Sequence, residues 1–113
     1  LLDISEMEHS LAIVRAGMVD GVTKDYGTGH MLDSIPLHIG AKTGSAQVSG
    51  NTKTNALITA YASRDEESAP EILVLILIEN AREGSLNAVP IARDVLQWYY
   101  DNRVAEKKIE ETQ

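Results

Sequence analysis

The chain has 113 residues, 43% apolar and 24% charged, which fits one globular domain or part of one and excludes a wholly disordered chain. A formal net charge of -7, no Phe and few other aromatics argue against a general binder of nucleic acid or anionic membrane. Cysteine is absent, so no disulfide framework or thiolate metal site is available, and no signal peptide or membrane span is visible: the longest apolar run, Ile72 to Ile78, is far too short to cross a bilayer.

Ser5-Glu6-Met7-Glu8 predicts a helix start, with Ser5 as N-cap and Glu8 closing a capping box. Met7, Leu11, Val14 and Met18 form one helical stripe expected to pack in the core, and the helix is expected to end near Asp20-Gly21-Val22. Lys24 to Pro36 reads as a connecting loop, with Gly27-Thr28-Gly29 and Pro36 supplying turn chemistry. A strand over Ile39 to Val48, a turn at Ser49-Gly50-Asn51-Thr52 and a second strand over Asn55 to Ala62 predict a hairpin. Arg64 to Pro70 is a charged, solvated tip, and Ile72 to Ile78 a third strand whose unbroken apolar run predicts burial on both faces. The expected class is therefore α+β: a three-stranded antiparallel meander flanked by helices on both sides.

After a loop at Arg82-Glu83-Gly84-Ser85, Asn87 is the expected cap of the last helix, with Pro90 tolerated in its first turn. Val89, Ala92, Leu96 and Tyr99 hold one face, Val95 and Trp98 widen it, and Trp98-Tyr99-Tyr100 predicts a large buried patch. Ala105 to Gln113 is a charged tail expected to fray. Three strands alone leave the third with an open apolar edge, so at least one further strand is expected beside it, outside this chain.

The chemistry concentrates in Ile39-Gly40-Ala41-Lys42-Thr43-Gly44-Ser45-Ala46-Gln47-Val48. Strand alternation sends Lys42 to one face and Thr43 and Ser45 to the other. Gly44 lets a ligand approach the backbone. If this strand is an open edge, its free amides and carbonyls can take an extended peptide, and the lysine would attract an anion such as a carboxylate. A polar strand end with a solvated lysine would carry the same four residues. A phosphate-binding loop is ruled out, because Ala41 stands where that loop needs Gly before the Lys. His9, His30 and His38 lack ligand spacing, so no metal is expected; no cofactor is expected.

The order of features resembles the C-terminal part of a penicillin-binding protein transpeptidase domain, nearest the class B, monofunctional type. The resemblance rests on Leu11-Ala12-Ile13-Val14-Arg15-Ala16-Gly17-Met18, Tyr26-Gly27-Thr28-Gly29, Ala41 to Val48, Ala60-Tyr61-Ala62, Ile78-Glu79-Asn80 and Ala88-Val89-Pro90-Ile91-Ala92, nearly the whole chain. It implies that residues 1–113 are the C-terminal portion of one such domain, with two more strands supplied from earlier sequence. The implied activity is peptidoglycan D,D-transpeptidation. A serine attacks the D-Ala-D-Ala amide of a stem peptide, and the acyl group passes to an amine of a neighbouring stem. β-Lactams mimic the donor.

By the same resemblance Lys42 sets the field and proton relay at the nucleophile and attracts the substrate carboxylate. The Thr43 and Ser45 hydroxyls bind that carboxylate, Gly44 keeps the strand open, and the Ser45 N–H is an oxyanion donor. The implied partners are the stem peptide, β-lactams, the remainder of the domain and a membrane glycan polymerase, with no nucleic acid. The implied location is the extracytoplasmic face of a bacterial membrane. Two motifs of the family are missing here. No serine has the Ser-x-x-Lys spacing, and Ser49-Gly50-Asn51 follows the lysine strand where the family's Ser-x-Asn precedes it. The chain alone is therefore expected to be inactive. A D,D-carboxypeptidase, β-lactamase or β-lactam sensor of the same fold, or a non-catalytic binding module, remains open on sequence grounds.

Overall fold

The computed structural model describes residues 3–112. A 3-10 turn over Ser5–Met7 leads into helix α1, Glu8–Thr23. The expected capping box is not formed. The Asp3 carboxylate accepts the Ser5 N–H at 2.9 Å, so the chain enters through the 3-10 turn and no side chain caps α1. That bond also holds the Asp3 carboxyl below its ordinary pKa.

The expected core stripe of α1 is a second correction. Met7 and Val14 are 52% and 58% exposed, Leu11 and Met18 are half-buried, and Val22 alone of α1 is buried. The reason is where the helix touches the sheet. Its C-terminal end packs at Gly21, where an added Cβ would sit 3.3 Å from the Ala41 carbonyl oxygen. From there the chain folds back through a Gly29 N–H bond to the Gly21 carbonyl and a 3-10 turn over His30–Ser34, which buries Leu32 and Ile35.

Strands β1 (His38–Val48), β2 (Lys53–Ser63) and β3 (Ile72–Ala81) form an antiparallel sheet in the order β1-β2-β3. The β1–β2 turn needs three successive left-handed residues, Ser49, Gly50 and Asn51, with φ of 53°, 64° and 66°. The register puts Ile39, Ala41, Thr43 and Ser45 on one face, opposite Ala62, Ala60, Ile58 and Ala56 of β2. On that face helix α3, Val89–Tyr99, buries Val89, Ala92 and Leu96 against the sheet, as its predicted stripe requires.

Strand β3 is not doubly buried. Val74 faces the core, but Leu73, Leu75 and Leu77 are 69%, 68% and 53% exposed on the opposite face. An apolar run marks a strand that wants cover on both sides; among the described residues only one side has it. β3 is also an outer strand, so the expected open apolar edge is present.

A short helix α2, Gly84–Asn87, precedes α3. Asn87 does not cap α3, whose N-cap position is Ala88. The aromatic cluster is split rather than buried: Trp98 is 56% exposed and Val95 41%. The Arg103 guanidinium lies 5.9 Å from the Trp98 ring centroid, and Tyr100 packs against the core. A π-helical turn over Tyr100–Ala105 buries Val104 and leads into α4, Glu106–Glu111, so the charged tail is helical there; Gln113 lies outside the described residues.

The Glu71 carboxylate joins the sheet to α3. It accepts from the Tyr99 hydroxyl at 2.8 Å and from Arg64 Nε at 2.7 Å. The Tyr99 bond first, then Arg64, hold the Glu71 carboxyl below its ordinary pKa of 4.5. A depressed folded-state pKa stabilises above the unfolded value and is lost as pH falls through the folded one. Glu71→Gln should therefore lower stability at neutral pH by about 1 kcal/mol or less, since solvent screens a surface pair. The difference from the parent in thermal melting should close in acid. A difference that persists below the carboxylate range would contradict this linkage.

Candidate functional site: the outer strand at Lys42–Ser45

Lys42-Thr43-Gly44-Ser45 lies on β1, which borders only β2, so its other edge is unpaired among the described strands. Cross-strand pairing fixes the side chains: Lys42 opposes Thr59 on one face, while Thr43 and Ser45 oppose Ile58 and Ala56 on the core face. The core ends just before them. Ala41 is buried, Thr43 and Gly44 are half-buried, and Ser45 is exposed. The two hydroxyls thus stand at the rim of the packed interior.

The Lys42 ammonium is exposed and donates to the Thr43 carbonyl at 2.6 Å. No carboxylate pairs with it among the described residues, so the cation is available to an anion at the strand. The Lys42 side chain leaves the strand on the face opposite Thr43 and Ser45, and its Nζ curls to the Thr43 carbonyl at the strand itself.

Each hydroxyl has a partner from elsewhere in the chain. Thr43 Oγ1 lies 2.7 Å from Thr28 Oγ1, in the loop after α1. Ser45 Oγ accepts the Gly84 N–H at 3.2 Å. Gly84 sits directly on the Gly44–Leu57 pair: an added Cβ would lie 2.6 Å from the Leu57 carbonyl oxygen and 2.7 Å from that of Gly44. Only a residue without a side chain fits there unshifted. No local pattern marks Thr28 or Gly84 as site residues; the Gly27-Thr28-Gly29 turn is the one hint, and it reads equally as loop chemistry.

Other candidates fall away from the strand. His30 Nδ1 lies 2.9 Å from the Val22 carbonyl oxygen, which gives it a structural place at the end of α1. A cavity of about 490 Å³ opens between α1 and the sheet, lined by Arg15, Asp20, His38, Tyr61 and Glu66 among others, and none of Lys42 to Ser45 reaches it. Among the described residues no cluster of His, Asp or Glu is placed to hold a metal ion, and no helix is long and apolar enough to cross a membrane. Among the described residues the Lys42 strand is therefore an outer wall, with its free edge uncovered by another strand.

Residues 6–97 match the description "Penicillin binding protein transpeptidase domain". The chain belongs to this family. It is similar to the peptidoglycan D,D-transpeptidase MrdA of Haemophilus influenzae, 33% identical over 107 residues, covering 81% of this chain and 16% of that protein. A solved complex of the penicillin-binding protein PBP2 with MreC from Helicobacter pylori contains a similar fold, with a TM-score of 0.70 and 25% identity over 91% of this chain and 19% of that one. The chain thus spans less than a fifth of the length of either relative. The three-stranded antiparallel sheet with its helices agrees with the fold of that transpeptidase family.

Proposed function

We propose that this chain is the C-terminal portion of a class B peptidoglycan D,D-transpeptidase and supplies the wall of its active site that grips the donor peptide. The observation that carries this reading is Lys42-Thr43-Gly44-Ser45 on an open outer strand, within a chain matching the transpeptidase family over residues 6–97. The donor stem peptide lies along β1 as an added strand. Its terminal carboxylate takes the Thr43 and Ser45 hydroxyls, within the field of the Lys42 ammonium. The Ser45 N–H faces the carbonyl oxygen on which charge builds during attack. Lys42 also serves the proton relay at the nucleophile. The nucleophilic serine, absent from these 113 residues in any Ser-x-x-Lys setting, comes from other sequence of the same domain. It forms an ester with the penultimate D-Ala carbonyl as the terminal D-Ala leaves with a proton on its amine, and an amine of a second stem then displaces the serine.

The bare face of Leu73, Leu75 and Leu77 and the unpaired edge of β3 support a seat for the remainder of that domain. By the same reading the whole protein works outside the cytoplasmic membrane, alongside a membrane glycan polymerase, and a protein partner of the kind seen with the Helicobacter pylori relative fits such an assembly. β-Lactams are trapped as stable acyl-enzymes.

The test is covalent labelling. The full-length protein carrying this chain should react with a fluorescent penicillin and retain the label on denaturing gels, while residues 1–113 alone should not. Absence of label on the full-length protein, with its fold intact, would favour a non-catalytic binding module.

A further inference from the structure

The candidate site depends on a segment far along the chain. The turn between β3 and α3 lays Gly84 on Gly44 and points its N–H at Ser45 Oγ. Two side-chain contacts organise that turn: Ser85 Oγ donates to Glu83 Oε1 at 2.7 Å, and Asn87 Oδ1 accepts both the Arg82 N–H at 3.0 Å and the Glu83 N–H at 3.1 Å. The same loop is closed by the Asn87 N–H to the Glu83 carbonyl and the Ala88 N–H to the Gly84 carbonyl. Glu83 is extended, at φ -158° and ψ 162°, so Asn87 reaches back across the corner where strand direction turns into helix.

We infer that Asn87 is a positioning residue of the Lys42–Ser45 site, holding the residue 82–84 corner so that the Gly84 N–H fixes the Ser45 hydroxyl. This rests on the carboxylate-binding reading above. A hydroxyl has one proton and two lone pairs. With the Gly84 N–H on one lone pair, the Ser45 proton is kept out of that direction and stays available to a ligand oxygen. Without the Asn87 clamp the corner loosens, the Gly84 N–H leaves, and the hydroxyl rotates freely, so the carboxylate must order it on binding. The role is positional: Asn87 touches backbone amides, and only through Gly84 the group that meets substrate.

The test uses the full-length protein and its Asn87→Ala, Asn87→Asp and Gly84→Ala variants. Each reacts with a fluorescent penicillin and with the methyl ester of that penicillin, which lacks the anion. Asn87→Ala should slow acylation by the free acid about tenfold or more, a displacement effect at a binding group, while changing the already slower reaction with the ester far less. Asn87→Asp, whose carboxylate accepts the same two amides, should recover to within about threefold of the parent. Gly84→Ala must push the corner off Gly44 and should repeat the selective loss; if Asn87→Ala does not fold, this variant decides. Parent-like rates with the free acid in Asn87→Ala, or in Gly84→Ala, would overturn the inference, as would equal losses with acid and ester. A parent protein that takes no label overturns the carboxylate-binding reading itself, and this inference with it.

Discussion

Replacing Lys42 with alanine is expected to slow penicillin acylation of the full-length protein by about 10²–10⁴-fold, the range for losing a group that moves protons in the transition state. Lys42 brings two things to the strand. It is an ammonium without a carboxylate partner among the described residues, and it is tied by a 2.6 Å bond to the Thr43 carbonyl, so its charge is held at the strand. Alanine removes the charge and leaves the backbone pairing with Thr59 intact, because that pairing does not use the side chain. The loss should therefore appear in acylation and not in melting temperature. Lys42→Arg keeps the charge but not the compact, rotatable donor, so it should restore carboxylate attraction better than proton transfer. Stopped-flow or gel-based acylation rates separate these outcomes. A Lys42→Ala protein that acylates within about threefold of the parent would remove the proton-relay role.

The second large effect is on stability. Ile58 is fully buried at the centre of β2, between Thr43 on β1 and Ile76 on β3. Its side chain is the apolar support directly across from the candidate site. Ile58→Ala should cost about 2–5 kcal/mol through lost burial and the cavity left behind. That is a large share of the roughly 5–15 kcal/mol that keeps a typical domain folded. Urea unfolding should show a lower midpoint with an unchanged slope. The site should suffer as well, since a cavity beneath the β1–β2 pair lets the strand shift under Thr43. A loss below about 1 kcal/mol would mean that the sheet collapses onto the gap or that β1 is held by other contacts.

Much of this architecture can be read from residues alone, and the rest resists for physical reasons. Strand alternation gives the split between Lys42 on one face and Thr43 and Ser45 on the other, and the observed register has it. Of the predicted face Val89, Ala92, Leu96 and Tyr99, the first three are buried, because helix period and burial coincide there, while Tyr99 is half-buried and bonds Glu71. The same logic fails for Met7 and Val14 in α1 and for Leu73, Leu75 and Leu77 in β3. Periodicity says which residues want cover; it does not say that these 113 residues provide it. The partners of the site are illegible for another reason. Thr28 meets Thr43 and Gly84 meets Ser45 only after the chain has folded back on itself, across sequence separations that no spacing rule encodes. Asn87 looks like a helix cap because Asn before a helical run usually is one. Here the side chain turns the other way, onto the Arg82 and Glu83 amides.

The most direct test of the central claim is a crystal structure of the full-length protein acylated by a penicillin. The drug's carboxylate should lie within hydrogen-bond distance of the Thr43 and Ser45 hydroxyls, with its acyl oxygen at the Ser45 N–H and its amide side chain along β1. A carboxylate bound elsewhere, with the outer edge of β1 covered by another strand of the same protein, would contradict it.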